Sequence, residues 1–142
     1  GYSMRFIVLV LFVFGSISSF ACSDFSGEYW GWMTDENDKV QKIPVAVTQD
    51  GCKSMNISFM GGQVNQEFHF DGVERTESFP NADITSRESC TINDEKITCV
   101  GAQFSGGFED SIYREYTLST EGIEYIQRIG DFEDIGTLEK AK

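Results

Sequence analysis

Over much of its length, short clusters of turn-forming residues interrupt this chain about every eight to twelve positions, and that spacing constrains its fold more than any other feature. The clusters are Asp35-Glu36-Asn37-Asp38, Asp50-Gly51, Gly61-Gly62, Asp71-Gly72, Pro80-Asn81, Ser105-Gly106-Gly107, Thr120-Glu121-Gly122 and Gly130-Asp131. Between them apolar and polar residues alternate with period two, the pattern of half-buried strands, and helical periodicity is scarce. Strands are expected near 27–33, 43–49, 53–60, 64–71, 73–79, 84–92, 96–104, 111–119, 122–129 and 134–139. Such short connections favour sequential antiparallel pairing. The expected fold is all-β, an antiparallel up-and-down meander of about eight to ten strands closing or nearly closing into a barrel. The interior of an eight-stranded barrel is either filled by side chains or holds one small ligand.

The N-terminus reads as an export signal. Met4-Arg5 precede nine unbroken apolar residues, Phe6 to Phe14, and a small-residue exit ends at Ala21 before Cys22. Residues 1–21 are therefore read as leader and signal peptide, and 22–142 as a single β-barrel-like domain. The apolar run is about half the ~20 residues a membrane-spanning helix needs, and no later segment is a candidate. Ser19 and Ala21 suit the general signal peptidase, which gives a soluble periplasmic or extracellular protein. A cysteine directly after the cut also resembles a bacterial lipoprotein, with a lipid anchor at Cys22 and an outer-membrane address. Ser19 and Phe20 depart from that pattern and make it the minority reading.

Four cysteines, at 22, 52, 90 and 99, imply two disulfides in an exported chain. The segment Cys90-Thr91-Ile92-Asn93-Asp94-Glu95-Lys96-Ile97-Thr98-Cys99 is nearly a mirror image about Asp94-Glu95. Folded as a hairpin there, it sets Cys90 opposite Cys99 at a non-hydrogen-bonded pair, where side chains lie closest. Asp-Glu lacks the glycine that two-residue turns prefer, so a longer loop stays open. Cys22 then pairs with Cys52 by elimination.

The 121 residues from Cys22 onward suffice for one core. The whole chain carries a formal charge of −12, and removing Arg5 with the leader makes it −13. Such a surface repels nucleic acid and anionic headgroups, and favours a basic protein partner or simple solubility.

Asp24-Phe25-Ser26-Gly27-Glu28-Tyr29-Trp30 resembles the opening of lipocalin-like and related calycin barrels, where a Phe-x-Gly-x-aromatic signature starts the first strand. Here Tyr29 stands two residues past Gly27 and the tryptophan one later, a departure from the strict lipocalin form. That resemblance implies a barrel able to hold an apolar ligand, with a late basic residue, here Arg128, against the first-strand aromatic ring. Gln49-Asp50-Gly51-Cys52 is similar to small exported bacterial proteins that pair an early cysteine with Gln-x-Gly-Cys, and implies little about function. Together these matches cover about a tenth of the chain.

Ile112, Arg114, Tyr116 and Leu118 share one strand face, three of them apolar or aromatic, so Arg114 should be carried inward. A buried guanidinium needs a partner, and a ligand carboxylate would suit its fork. The structural alternatives are a surface Arg114 with Tyr113 inward, or an internal ion pair with a glutamate. Phe68 and Phe70 should line the interior, leaving Glu67, His69 and Asp71 on the other face, ~7 Å apart and too far to share one ion. Trp30 and Trp32 share a face opposite Tyr29 and Met33, and are read as core or ligand wall. The acidic segments 35–38 and 131–134 lack EF-hand spacing. Asn56-Ile57-Ser58 is a glycosylation sequon in a eukaryotic host only. No metal site, cofactor or nucleophile–base pair is expected. The reading is a non-enzymatic exported protein holding a small apolar or carboxylate ligand at Arg114, Tyr116, Phe68, Phe70 and Trp30. The alternative is an interaction or inhibitor module with a filled core and an acidic binding face.

Overall fold

The computed structural model describes residues 22–141, so the leader expected at 1–21 lies outside the described residues. Ten strands appear, each overlapping an expected one: β1 Gly27–Thr34, β2 Val40–Asp50, β3 Ser54–Phe59, β4 Val64–His69, β5 Arg75–Phe79, β6 Ile84–Asn93, β7 Lys96–Ser105, β8 Phe108–Leu118, β9 Gly122–Ile129 and β10 Phe132–Lys140. A single 3-10 turn, Pro80–Ala82, joins β5 to β6. All pairings are antiparallel in one strongly curled sheet, in the order β4-β3-β2-β1-β10-β9-β8-β7-β6-β5.

Closure is where the structure departs from expectation. β4 and β5 are neighbours in sequence yet stand at opposite edges of the sheet, which is an open half-barrel. The chain between them supplies the reason. After β4 it crosses to the far wall, where Asp71 bridges Thr91 and the Gly72 amide donates to the Cys90 carbonyl at 2.9 Å. Arg75 then pairs opposite Glu88 on β6, so β5 is committed to that side from its first residue.

The two ends of the half-barrel differ. One end, called here the closed end, carries the connections β2–β3, β4–β5, β6–β7 and β8–β9; the other, the rim, carries the remaining hairpin turns. The seam between β1 and β10 is held at the closed end only, by Tyr29 opposite Lys140 and Trp30 opposite Glu139. The N-terminal segment crosses beneath this end. The Ser23 amide donates to the Asp94 carbonyl (3.1 Å) in the β6–β7 turn. The Gln49 amide group donates to the Ser23 and Gly51 carbonyls, and its oxygen accepts from the Phe25 amide at 2.7 Å. Phe25 is thereby fully buried, with its carbonyl accepting from the Tyr29 hydroxyl at 2.7 Å.

The core follows. Tyr29, Val45, Val47, Met55, Ile57, Phe68, Phe70, Ile97, Tyr116 and Ile123 are buried on the concave face, with Phe25 beneath them. Both expected disulfides, Cys22–Cys52 and Cys90–Cys99, are present at this end, and all four cysteines are paired. The β6–β7 hairpin turns on two residues, since Asn93 pairs with Lys96. Asp94 takes the positive φ (56°) that glycine would usually supply, a conformation aspartate tolerates.

Candidate functional site

A cleft of about 560 Å³ opens along the gap between β4 and the β5–β6 wall. This is within the size range of small-ligand sites. Phe59 and Val64 border it on one side, Phe79 on the other, and Phe68, Glu88, Arg114 and the Cys90 disulfide lie at its floor; most of the remaining lining is polar, Asn65, Gln66, Glu77 and Gln103 among it. Alternation explains the floor. Ser86, Glu88 and Cys90 share one face of β6, and Ile112, Arg114 and Tyr116 share one face of β8. Cys99 pairs opposite both Cys90 and Arg114, so the three strands present these residues to the same concave surface.

Arg114 and Glu88 form the chemistry of the site. Their side chains retain only 14% and 20% of their exposure, and Arg114 Nε lies 3.1 Å from Glu88 Oε2. The contact is an ion pair without an aligned hydrogen bond, which leaves both buried atoms unsatisfied. Buried polar atoms usually find partners, and leaving one without costs roughly 1–3 kcal/mol. Burial pushes the Glu88 carboxyl above its ordinary value; Arg114 opposes the shift and Glu77 adds to it. Burial likewise pushes up the Tyr116 phenol, against the pull of the Arg114 guanidinium.

Gly101 positions the pair. It lies opposite Glu88, and a Cβ there would sit 1.8 Å from the Arg87 carbonyl oxygen, so any side chain would push β6 away. Cys90, Cys99 and Glu88 offer ligand-type atoms within 4.8 Å of one another. The two sulfurs are bound to each other, so neither is a thiolate able to hold a metal.

The structure brings some of the sequence-derived site residues together and separates others. Arg114 faces inward, and its partner is the glutamate anticipated as a structural alternative. Phe68 lines the cleft floor, and its ring meets Tyr116 edge-on at 5.4 Å between centroids. Tyr116 and Phe70 are buried in the core that supports the floor. Trp30 stands apart, which corrects its reading as core or ligand wall. It lies half-buried on the convex face, where Lys42 Nζ sits 4.8 Å from its ring centre and 5.9 Å from that of Trp32. Tyr29 and Gly31 take the concave side instead. At Gly31 even a Cβ would lie 3.1 Å from Val45, so no indole fits there. Arg128 also departs from the resemblance: it binds Glu133 at 2.7 Å and lies over Tyr113, away from Trp30. Glu67 and His69 pair with each other at 3.2 Å, while the Asp71 carboxylate accepts from both terminal guanidinium nitrogens of Arg75 at 2.8 Å. In the first acidic loop, Asp35 is occupied by the Asn37 and Lys39 amides, each at 2.9 Å.

Sequence reasoning left Glu88, Gly101 and Gln49 without roles. A signal for Glu88 was present, because period two places it on the face of Cys90. Gln49 could have been found by its parity with Val45 and Val47 on β2. For Gly101 the alternation gave no sign. No family model matches the chain, and neither the curated proteins nor the solved structures contain a match.

Proposed function

We propose that this is an exported, non-enzymatic binding protein that holds one small, mostly apolar ligand with a single anionic head in the β4–β5 cleft. The buried, unsatisfied Arg114 Nε at the floor carries this reading. An incoming carboxylate would satisfy the guanidinium with aligned hydrogen bonds, the geometry in which arginine binds carboxylates most strongly. The ligand tail would run along Phe59, Val64 and Phe79. A chain of net charge −12 repels polyanions, so a ligand with one charge and a long apolar part fits better than a phosphorylated one.

Glu88 is the internal competitor for Arg114 in this account, so substitutions at the two positions act with opposite signs. Titration calorimetry with decanoate tests this. Arg114→Gln should weaken binding about tenfold or more, as loss of a charge-assisted hydrogen bond does. Glu88→Gln should tighten it, because the guanidinium is freed while the packing volume is kept. Equal affinities across wild type and both variants, with folding intact by circular dichroism, would refute the proposal.

A further inference from the structure

Among the described residues, eight of the eleven large apolar side chains left exposed lie at the rim: Trp32, Met33, Val40, Met60, Val64, Phe79, Phe108 and Phe132. They flank all five rim turns, whereas the closed end exposes only Val73 near its turns. Phe108 is 76% exposed and Phe132 61%. Register places them on the concave lip. Phe108, Ser105, Ile84 and Phe79 form one cross-strand row, and Phe132, Ile129 and Ile112 form another. Exposed apolar surface gathered in one region marks an interaction site.

The charge around this lip is one-sided. The rim segments 34–40, 60–64, 79–84, 105–109 and 129–133 contain seven acidic residues and one basic residue, Lys39. On the convex face Lys42 already stands over Trp30 and near the half-exposed Trp32, whereas among the described residues no cation stands over Phe108 or Phe132 on the concave lip. Aromatic anchors inside an acidic border match a partner that is apolar and cationic at once. An anionic lipid surface is repelled by the same field, and a second copy of this chain would bring the same acidic border against itself. We infer that the rim is a docking surface for a cationic, amphipathic segment of a protein partner, with Phe108 and Phe132 as its anchors. Val64 and Phe79 are shared with the border of the β4–β5 cleft, but neither anchor phenylalanine lines it, so the inference is tested at Phe108 and Phe132 independently of the proposed ligand.

The test is fluorescence anisotropy of a labelled synthetic leucine–lysine peptide titrated with the disulfide-bonded protein. The wild type should bind it, more weakly as salt rises. Phe108→Ser with Phe132→Ser should lower the affinity at least about tenfold, the loss expected when aromatic anchors are truncated. The charge reversals Glu109→Lys with Asp131→Lys should lower it too and flatten the salt dependence, while Val73→Ser at the closed end should leave it unchanged. Decanoate affinity should be unaltered in the two rim double variants, since none of their four positions lines the cleft. Equal peptide affinity in the rim variants and the wild type would overturn the inference, as would equal binding of the leucine–glutamate counterpart. Rim-dependent flotation with phosphatidylcholine vesicles would assign the lip to a lipid surface, and a rim-dependent dimer in sedimentation would assign it to a second copy. Either result would also overturn the inference.

Discussion

The closed end and the rim are built from the same ten strands, yet they divide the work of the molecule. At the closed end two disulfides, the Phe25 plug, the Gln49 latch and the Asp71–Thr91 bridge tie the walls together. At the rim the β1–β10 seam has run out of paired residues, and phenylalanines face solvent. A curled sheet can thus be stabilised from one end alone, which leaves the other end and the β4–β5 side open. Burial and crosslinking are local, so their loss should be felt at one end and hardly at the other.

Phenylalanine itself offers the sharpest contrast. Phe25→Ala should destabilise by about 3–5 kcal/mol, the usual result of emptying a fully buried aromatic site. Phe108→Ala should change stability by less than about 0.5 kcal/mol. Urea denaturation of the two variants measures both, and equal costs would erase the distinction between the ends. Next in size is the staple: Cys22→Ser with Cys52→Ser should cost about 2–4 kcal/mol in the same assay. Gln49→Ala should cost about 1–2 kcal/mol, because it leaves the Phe25 amide and Ser23 carbonyl without their partner.

Acidity separates the regions more gently. The Glu88 carboxyl has its folded pKa raised by burial, so the fold favours its protonated form. Its contribution to stability is complete below the ordinary value of 4.5 and is lost as pH rises through the raised folded value. Glu88→Gln should therefore remove a decline in stability that the wild type shows over that window. Asp71, in the crossing segment, behaves oppositely. Arg75 and the Val73 amide hold its carboxyl well below the ordinary 3.8. Its contribution is present above 3.8 and is lost as pH falls. Asp71 is exposed, so added salt should shrink its effect while leaving that of Glu88 largely in place.

The strands and the disulfides were legible in the sequence because both depend on local pattern. Turn clusters delimit strands, and the palindrome around Asp94-Glu95 sets Cys90 against Cys99 whichever way the rest folds. Arg114 was legible for the same reason, being carried inward by Ile112 and Tyr116. What alternation cannot supply is which of two faces turns inward when both look apolar. At β1 that choice went to Tyr29 and Gly31 because the tight inner curve has no room for indoles, and Trp30 went outside. Closure was equally hidden. A meander with short turns looks as though it should close, and only the crossing at Asp71 and Gly72 commits β5 to the far wall. The Glu88–Arg114 pair depends on three strands meeting, with Gly101 giving the close approach, and no single segment reports that.

The open gap between β4 and β5 is the claim on which the cleft depends, and amide hydrogen exchange by NMR tests it most directly. The Phe70 amide bonds to the Lys53 carbonyl, so along β4 the amides of Phe68 and Gln66 also point toward β3. Those of Asn65, Glu67 and His69 point into the gap. Fast exchange is expected at Asn65, Glu67 and His69 beside slow exchange at Gln66 and Phe68. Slow exchange at all five would mean that β4 is paired on both sides, and would contradict the open half-barrel.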